Sequence, residues 1–182
     1  MTAVHRPLLV TLAALVLACS GTSESTCPGE PVGSFRLEVS VPDGAPPSAC
    51  TAEPPVVDPP TRVVASFVAK LTVEPAAAGS SPAALCPGGR GATYYGSRAA
   101  DGTYTLEASS GLAVLDRCGS NCSVSAVEHV TGVVTGEGAA ATFAGTLVER
   151  FEYLAGNCGA CALPCAATYA LTSAASVPAA SP

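Results

Sequence analysis

From Ser34 onward the chain reads in twos. Phe35, Leu37, Val39 and Val41 alternate with Ser34, Arg36, Glu38 and Ser40, a period that sets one face of a strand on a core and the other in water. Arg62 to Glu74 repeats the pattern, with Val63, Ala65, Phe67, Ala69, Leu71 and Val73 sharing a face until Pro75 ends the run. A small-residue loop then passes through Cys86 and Gly88-Gly89-Arg90-Gly91 to a short strand at Ala92 to Tyr95. Asp101-Gly102 marks a turn before alternating Tyr104, Leu106 and Ala108. Ser123 to Thr135 is rich in β-branched residues, Ala140 to Leu154 is expected as a second strand, and Gly136-Glu137-Gly138 between them makes a hairpin. A last strand is expected over about Ala166 to Thr172. Seven or so strands, with no helix-period segment after the first 18 residues, predict an all-β fold: an antiparallel β-sandwich or an irregular β-barrel.

The amino end follows another logic. A short polar opening with one firm positive charge, Arg6, precedes the apolar run Leu8 to Ala18, the layout of an export signal. Eleven residues are too few for a bilayer core that takes about 20 in a helix. Val16-Leu17-Ala18-Cys19 resembles the lipobox of bacterial lipoproteins. That resemblance covers only these first residues. It implies a diacylglyceryl group on the Cys19 thiol, cleavage after Ala18 and acylation of the new amino group, and with them a place in the bacterial cell envelope, on the outer membrane. More than one acyl chain makes such an anchor durable, each buried CH₂ contributing about 0.8 kcal/mol. The alternative is ordinary secretion, with a cut after Ser20 at the Ala18-x-Ser20 pair. The expected organisation is a signal over 1–18, a lipidated terminus and flexible spacer over 19–31, a single β domain over 32–175, and a frayed tail over 176–182. Within the domain, seven prolines between Pro42 and Pro60 make a semi-extended surface loop.

Cysteine use agrees with export. Of nine cysteines, Cys27, Cys50, Cys86, Cys118, Cys122, Cys158, Cys161 and Cys165 remain once Cys19 is lipidated or removed. An exported chain holds such a set as up to four disulfides. Eight cysteines allow 105 connectivities, and spacing does not choose among them. Cross-links suit a chain with no Trp, four Phe and five Tyr, because small side chains bury little area each. Loss of Arg6 leaves seven basic residues against fourteen acidic ones. That surface repels nucleic acid and anionic lipid heads; the expected partners are the membrane, through the lipid, and an envelope protein.

Candidate chemistry is sparse. Cys158-Gly-Ala-Cys161 has the C-x-x-C spacing of thiol-disulfide exchange enzymes and of metal sites. Ala162-Leu163-Pro164-Cys165 and a β-like run follow it, however, in place of the helix that lowers a reactive thiol's pKa, and a structural disulfide is the plainer reading. His129, the one histidine after the signal, is expected to be an exposed strand residue, since adjacent Glu128 points to the opposite face. Glu149 falls on the apolar face of Phe143, Leu147, Phe151 and Tyr153. A β-bulge or an open sheet edge returning it to water is the expected explanation, and a polar contact inside a ligand cavity the alternative. No catalytic residue, cofactor or metal site is expected. The sequence favours a non-catalytic, membrane-anchored envelope module for interaction or structure. The alternatives are a redox factor using Cys158 and Cys161, or a small-ligand carrier with a cavity between its sheets.

One outcome follows from the amino end alone. Cys19→Ser should move the protein from the membrane fraction to the supernatant. A wild-type intact mass without lipid would refute the anchor.

Overall fold

A computed structural model describes residues 27–42, 66–76, 79–88, 92–114 and 118–176. The signal, Cys19, Cys50, and the proline-rich loop after Pro42 lie outside these residues, as do Val63, Ala65 and the end of the tail. Eight strands form: β1 (Glu30–Ser40), β2 (Ser66–Val73), β3 (Ser81–Pro87), β4 (Tyr94–Arg98), β5 (Thr103–Val114), β6 (Ser123–Thr135), β7 (Thr142–Ala155) and β8 (Cys165–Ser176). Each pairs antiparallel with the next, and β8 returns to pair with β1. The sheet is therefore a closed up-and-down barrel, which removes the free edges that an open sheet must protect.

Closure settles the choice between sandwich and barrel, and it adds a strand. Ser81–Pro87, expected as a loop, is β3, paired on one side with β2 and on the other with β4. Its small residues and two prolines carry little strand preference of their own, but two neighbours override local propensity. The prolines stand near the strand's ends, where a missing N–H does least harm. Pro82 accepts at its carbonyl from the Glu74 amide at 2.8 Å.

The period of two becomes inside and outside. Phe35 and Leu37 of β1, Phe67 and Leu71 of β2, Leu85 of β3, Tyr104 and Leu106 of β5, Phe143 and Leu147 of β7, and Leu171 of β8 fill the interior as one cluster. Eight strands enclose just enough space for such filling or for one small ligand. Arg36, Glu38, Lys70, Glu107 and Arg150 face outward and are exposed.

Curvature comes from bulges and glycines. Register shifts occur at Pro31/Gly33 and Phe35/Leu37 in β1 and at Ser109/Leu112 in β5, and such shifts bend a strand around a barrel. At the Asp101-Gly102 turn, Gly102 takes φ +87 and Asp101 Oδ1 accepts from the Thr103 amide at 2.9 Å. That hydrogen bond holds the Asp101 carboxyl below the usual carboxylate range. Nearby, burial pushes the Tyr104 phenol above the usual tyrosine range, with Arg98 acting in the opposite direction.

Gly132 shows how tightly the interior is packed. A Cβ there would stand 2.4 Å from Cζ of Phe143 and 2.7 Å from the Ala144 carbonyl oxygen, so the ring lies where a side chain would be. Gly132→Ala should cost about 1–3 kcal/mol by overpacking, read from urea unfolding. An unchanged midpoint would show that the Phe143 ring is not seated on the glycine.

Candidate functional site

The inward alternation of β6 and β7 carries two acids into the barrel. On β6 the buried positions run Val124, Ala126, Glu128, Val130; on β7 they run Leu147, Glu149, Phe151. Glu149 is 0% exposed and Glu128 4%. They face each other directly in the β6–β7 ladder, whose only register shift lies at Ser123/Val124. The expectation that a bulge or free edge returns Glu149 to water is thus overturned. The hairpin is regular at that point, and closure leaves β7 paired on both sides, with Ala167 of β8 opposite Glu149. Tyr153, placed on the same face by parity, lies past the last covered layer and is half exposed.

The row extends further. Glu128 also pairs with Ala108 of β5, and the pairing of Tyr95 with Glu107 sets Tyr94 beside Ala108. Tyr94, Ala108, Glu128, Glu149 and Ala167 therefore form one cross-strand row of inward residues from β4 to β8. The Tyr94 hydroxyl donates to Oε2 of Glu128. Its ring has to pass over β5 to do so, and the small Ala108 side chain leaves that path open. Tyr169 of β8, opposite Leu147, is buried one step along the same wall.

Within this row the two acids mark a break in the apolar packing. On one side lies the main cluster, which includes Val130, Leu147 and Tyr169 and takes in Tyr94, Ala108 and Ala167 of the row itself. On the other lies a second cluster of Cys118, Cys122, Val124, Ala126, Phe151 and Cys165. Glu128 sits between Ala126 and Val130, and Glu149 between Leu147 and Phe151. Carboxylates removed from water need protein dipoles, a counter-charge or a proton, so this layer is the chemically distinctive part of an otherwise apolar interior.

The cysteines close the end beyond the second cluster. Cys118 bonds Cys161 and Cys122 bonds Cys158, tying the β5–β6 connection to the β7–β8 connection. The Asn157 amide donates to the Ser120 carbonyl at 3.2 Å and the Ala160 amide to the Cys118 carbonyl at 3.0 Å. Gly156 takes φ +86, and a Cβ on it would meet the Asn121 carbonyl oxygen at 1.8 Å; only glycine lets the two connections approach so closely. Cys158 and Cys161 are consequently not bonded to each other, and the C-x-x-C spacing holds no dithiol couple of the thioredoxin kind. Cys165 is disulfide-bonded as well. Cys27 bonds Cys86 across the outer face of β2, where its Sγ lies 3.4 Å from the Thr72 hydroxyl oxygen.

His129 is on the outer face, half exposed, 3.4 Å from the Glu107 carboxylate directly opposite. Among the described residues, no group of three or more His, Cys, Asp and Glu is placed to hold a metal ion, and no helix is long and apolar enough to cross a membrane. The sequence reading missed Glu128 and Tyr94 as partners of the interior acid layer. The signal for Glu128 was present: the hairpin that pairs Thr135 with Thr142 also pairs 128 with 149. Tyr94 had no such signal, because its reach depends on the unforeseen order of β3, β4 and β5.

The Tyr94–Glu128 contact predicts a specific coupling. Tyr94→Phe should cost about 1–3 kcal/mol, the penalty of leaving a buried acceptor without its donor, and almost nothing in a Glu128→Leu background. Equal costs in both backgrounds, from urea unfolding, would show that the phenol does not serve this carboxylate. Comparison with protein-family profiles, with curated proteins and with solved structures gave no match, so the functional reading stands on this geometry.

Proposed function

We propose that the protein is an exported, lipid-tethered, non-catalytic carrier whose barrel binds a small hydrogen-bond-donating ligand, such as an amine, against the Glu128–Glu149 layer. The observation that carries the reading is the carboxylate pair itself, in register on inward positions between two apolar clusters. Barrel closure needs only apolar side chains there, and acids at those positions are costly to the fold. Binding sites of this shape combine apolar walls with a few convergent polar groups, and eight-stranded barrels are among the folds that hold one small ligand.

Three long-range disulfides among the described residues support export to an oxidising compartment. The polar outer face supports attachment through a lipid on Cys19, in place of insertion of the barrel.

A thermal-shift screen of the folded protein against small amines, amides and alcohols tests the binding claim. A true ligand should raise the wild-type melting temperature and bind at least tenfold more weakly to Glu149→Gln, about 1.4 kcal/mol. A panel without any hit, or hits of equal strength in Glu149→Gln and Glu128→Gln, would remove the acid layer from consideration as a binding site.

A further inference from the structure

We infer that the native cystine pattern is reached by reshuffling, and that the chain is a client of a disulfide isomerase, a dithiol partner that exchanges bonds without net oxidation. The inference rests on the export reading, because only an exported chain meets such an enzyme while its cysteines are being oxidised. Its basis is connectivity. The native bonds between described cysteines span 59, 43 and 36 residues. Cys27 skips Cys50 to reach Cys86, and Cys118 skips both Cys122 and Cys158 to reach Cys161.

Local competitors stand beside the native partners. Cys118 is four residues from Cys122, and Cys158 is three from Cys161. Closure probability falls roughly as the three-halves power of loop length. In an unfolded chain, the nearby pairs therefore meet far more often than Cys122 and Cys158, 36 residues apart. The native bonds become the near ones only after β6 and β7 have zipped, since that ladder sets Ser123 opposite Ala155 and brings the two connections together. A chain that emerges into an oxidant sulfur by sulfur meets the wrong neighbours first.

The rescue balances without an external oxidant. The isomerase thiolate attacks Cys122 of a 118–122 bond, forming a mixed disulfide and releasing the Cys118 thiolate. That thiolate attacks Cys161 of a 158–161 bond, making the native 118–161 bridge and releasing the Cys158 thiolate. Cys158 then attacks the mixed disulfide at Cys122, making 122–158 and expelling the isomerase thiolate unchanged. Two disulfides enter and two leave.

The test starts from the full exported protein, reduced in denaturant and then refolded in three ways: with a thiol-free oxidant, in a glutathione thiol-disulfide buffer, and in that buffer with an isomerase. Peptide mapping reads the fraction carrying 27–86, 118–161 and 122–158 together. Thiol-free oxidation should give mainly 118–122 and 158–161, with the native fraction rising at least fivefold in the exchanging buffer and faster still with isomerase. Native pairing to the same extent without thiol would overturn the inference. A second measurement covers a chain that precipitates on refolding: bond mapping of protein exported in a bacterial host with and without its envelope isomerase, where an unchanged map likewise overturns it. Failure of the export reading has its own signature, native protein isolated with all its thiols free.

Discussion

Pairing of β8 with β1 is the constraint from which the rest of this structure follows. An open meander of these strands would leave two edges and a face to cover. Once Leu37 meets Ser173 and Val39 meets Leu171, every strand has two neighbours and the side-chain period of two acquires an absolute meaning, inward or outward. Glu149 illustrates the consequence. Its position in the alternation is the same in an open sheet and in a barrel, but only the barrel denies it a route to solvent.

How much of this was legible depended on whether the deciding interaction was local. The faces of β1, β2 and β5 were readable because alternation is a property of consecutive residues, and Phe35, Leu37, Phe67, Leu71, Tyr104 and Leu106 are all inside. The β6–β7 hairpin was readable because its turn residues lie between its strands. Ser81–Pro87 was not, since nothing within SPAALCP favours a strand; its hydrogen-bonding partners come from β2 and β4, on either side. The bonding of Cys158 and Cys161 to different partners was invisible for the same reason. Spacing along the chain suggests a pair, while the spatial order of two distant connections decides otherwise.

Glu149 is the instructive case, because sequence flagged it and then explained it away. A lone acid on an apolar face is well explained by a bulge, and that explanation weakens once a second acid occupies the facing position. Glu128 sits between Ala126 and Val130 as regularly as Glu149 sits between Leu147 and Phe151. Two independent departures from an apolar pattern, meeting at one rung of one ladder, with a phenol from β4 donating to one of them, point to a requirement that packing alone does not impose.

That requirement also accounts for where the sulfur lies. The two acids stand between the main cluster and the second one, so the far end packs as a cluster of its own. Among the described residues the second cluster holds six buried residues, three of them cysteines, with Cys158, Cys161 and Leu163 packed alongside. Small side chains bury little area each, and burial is worth only about 25 cal/mol per Å². Each covalent link between chain segments this far apart is worth about 2–4 kcal/mol, comparable with fully burying one large side chain. The bridges at that end thus replace the continuity that the carboxylates break. The placement of the disulfides and the placement of the acids are one feature of the fold: a polar layer kept inside a small barrel, and a covalent clasp that holds closed the end it would otherwise leave weak.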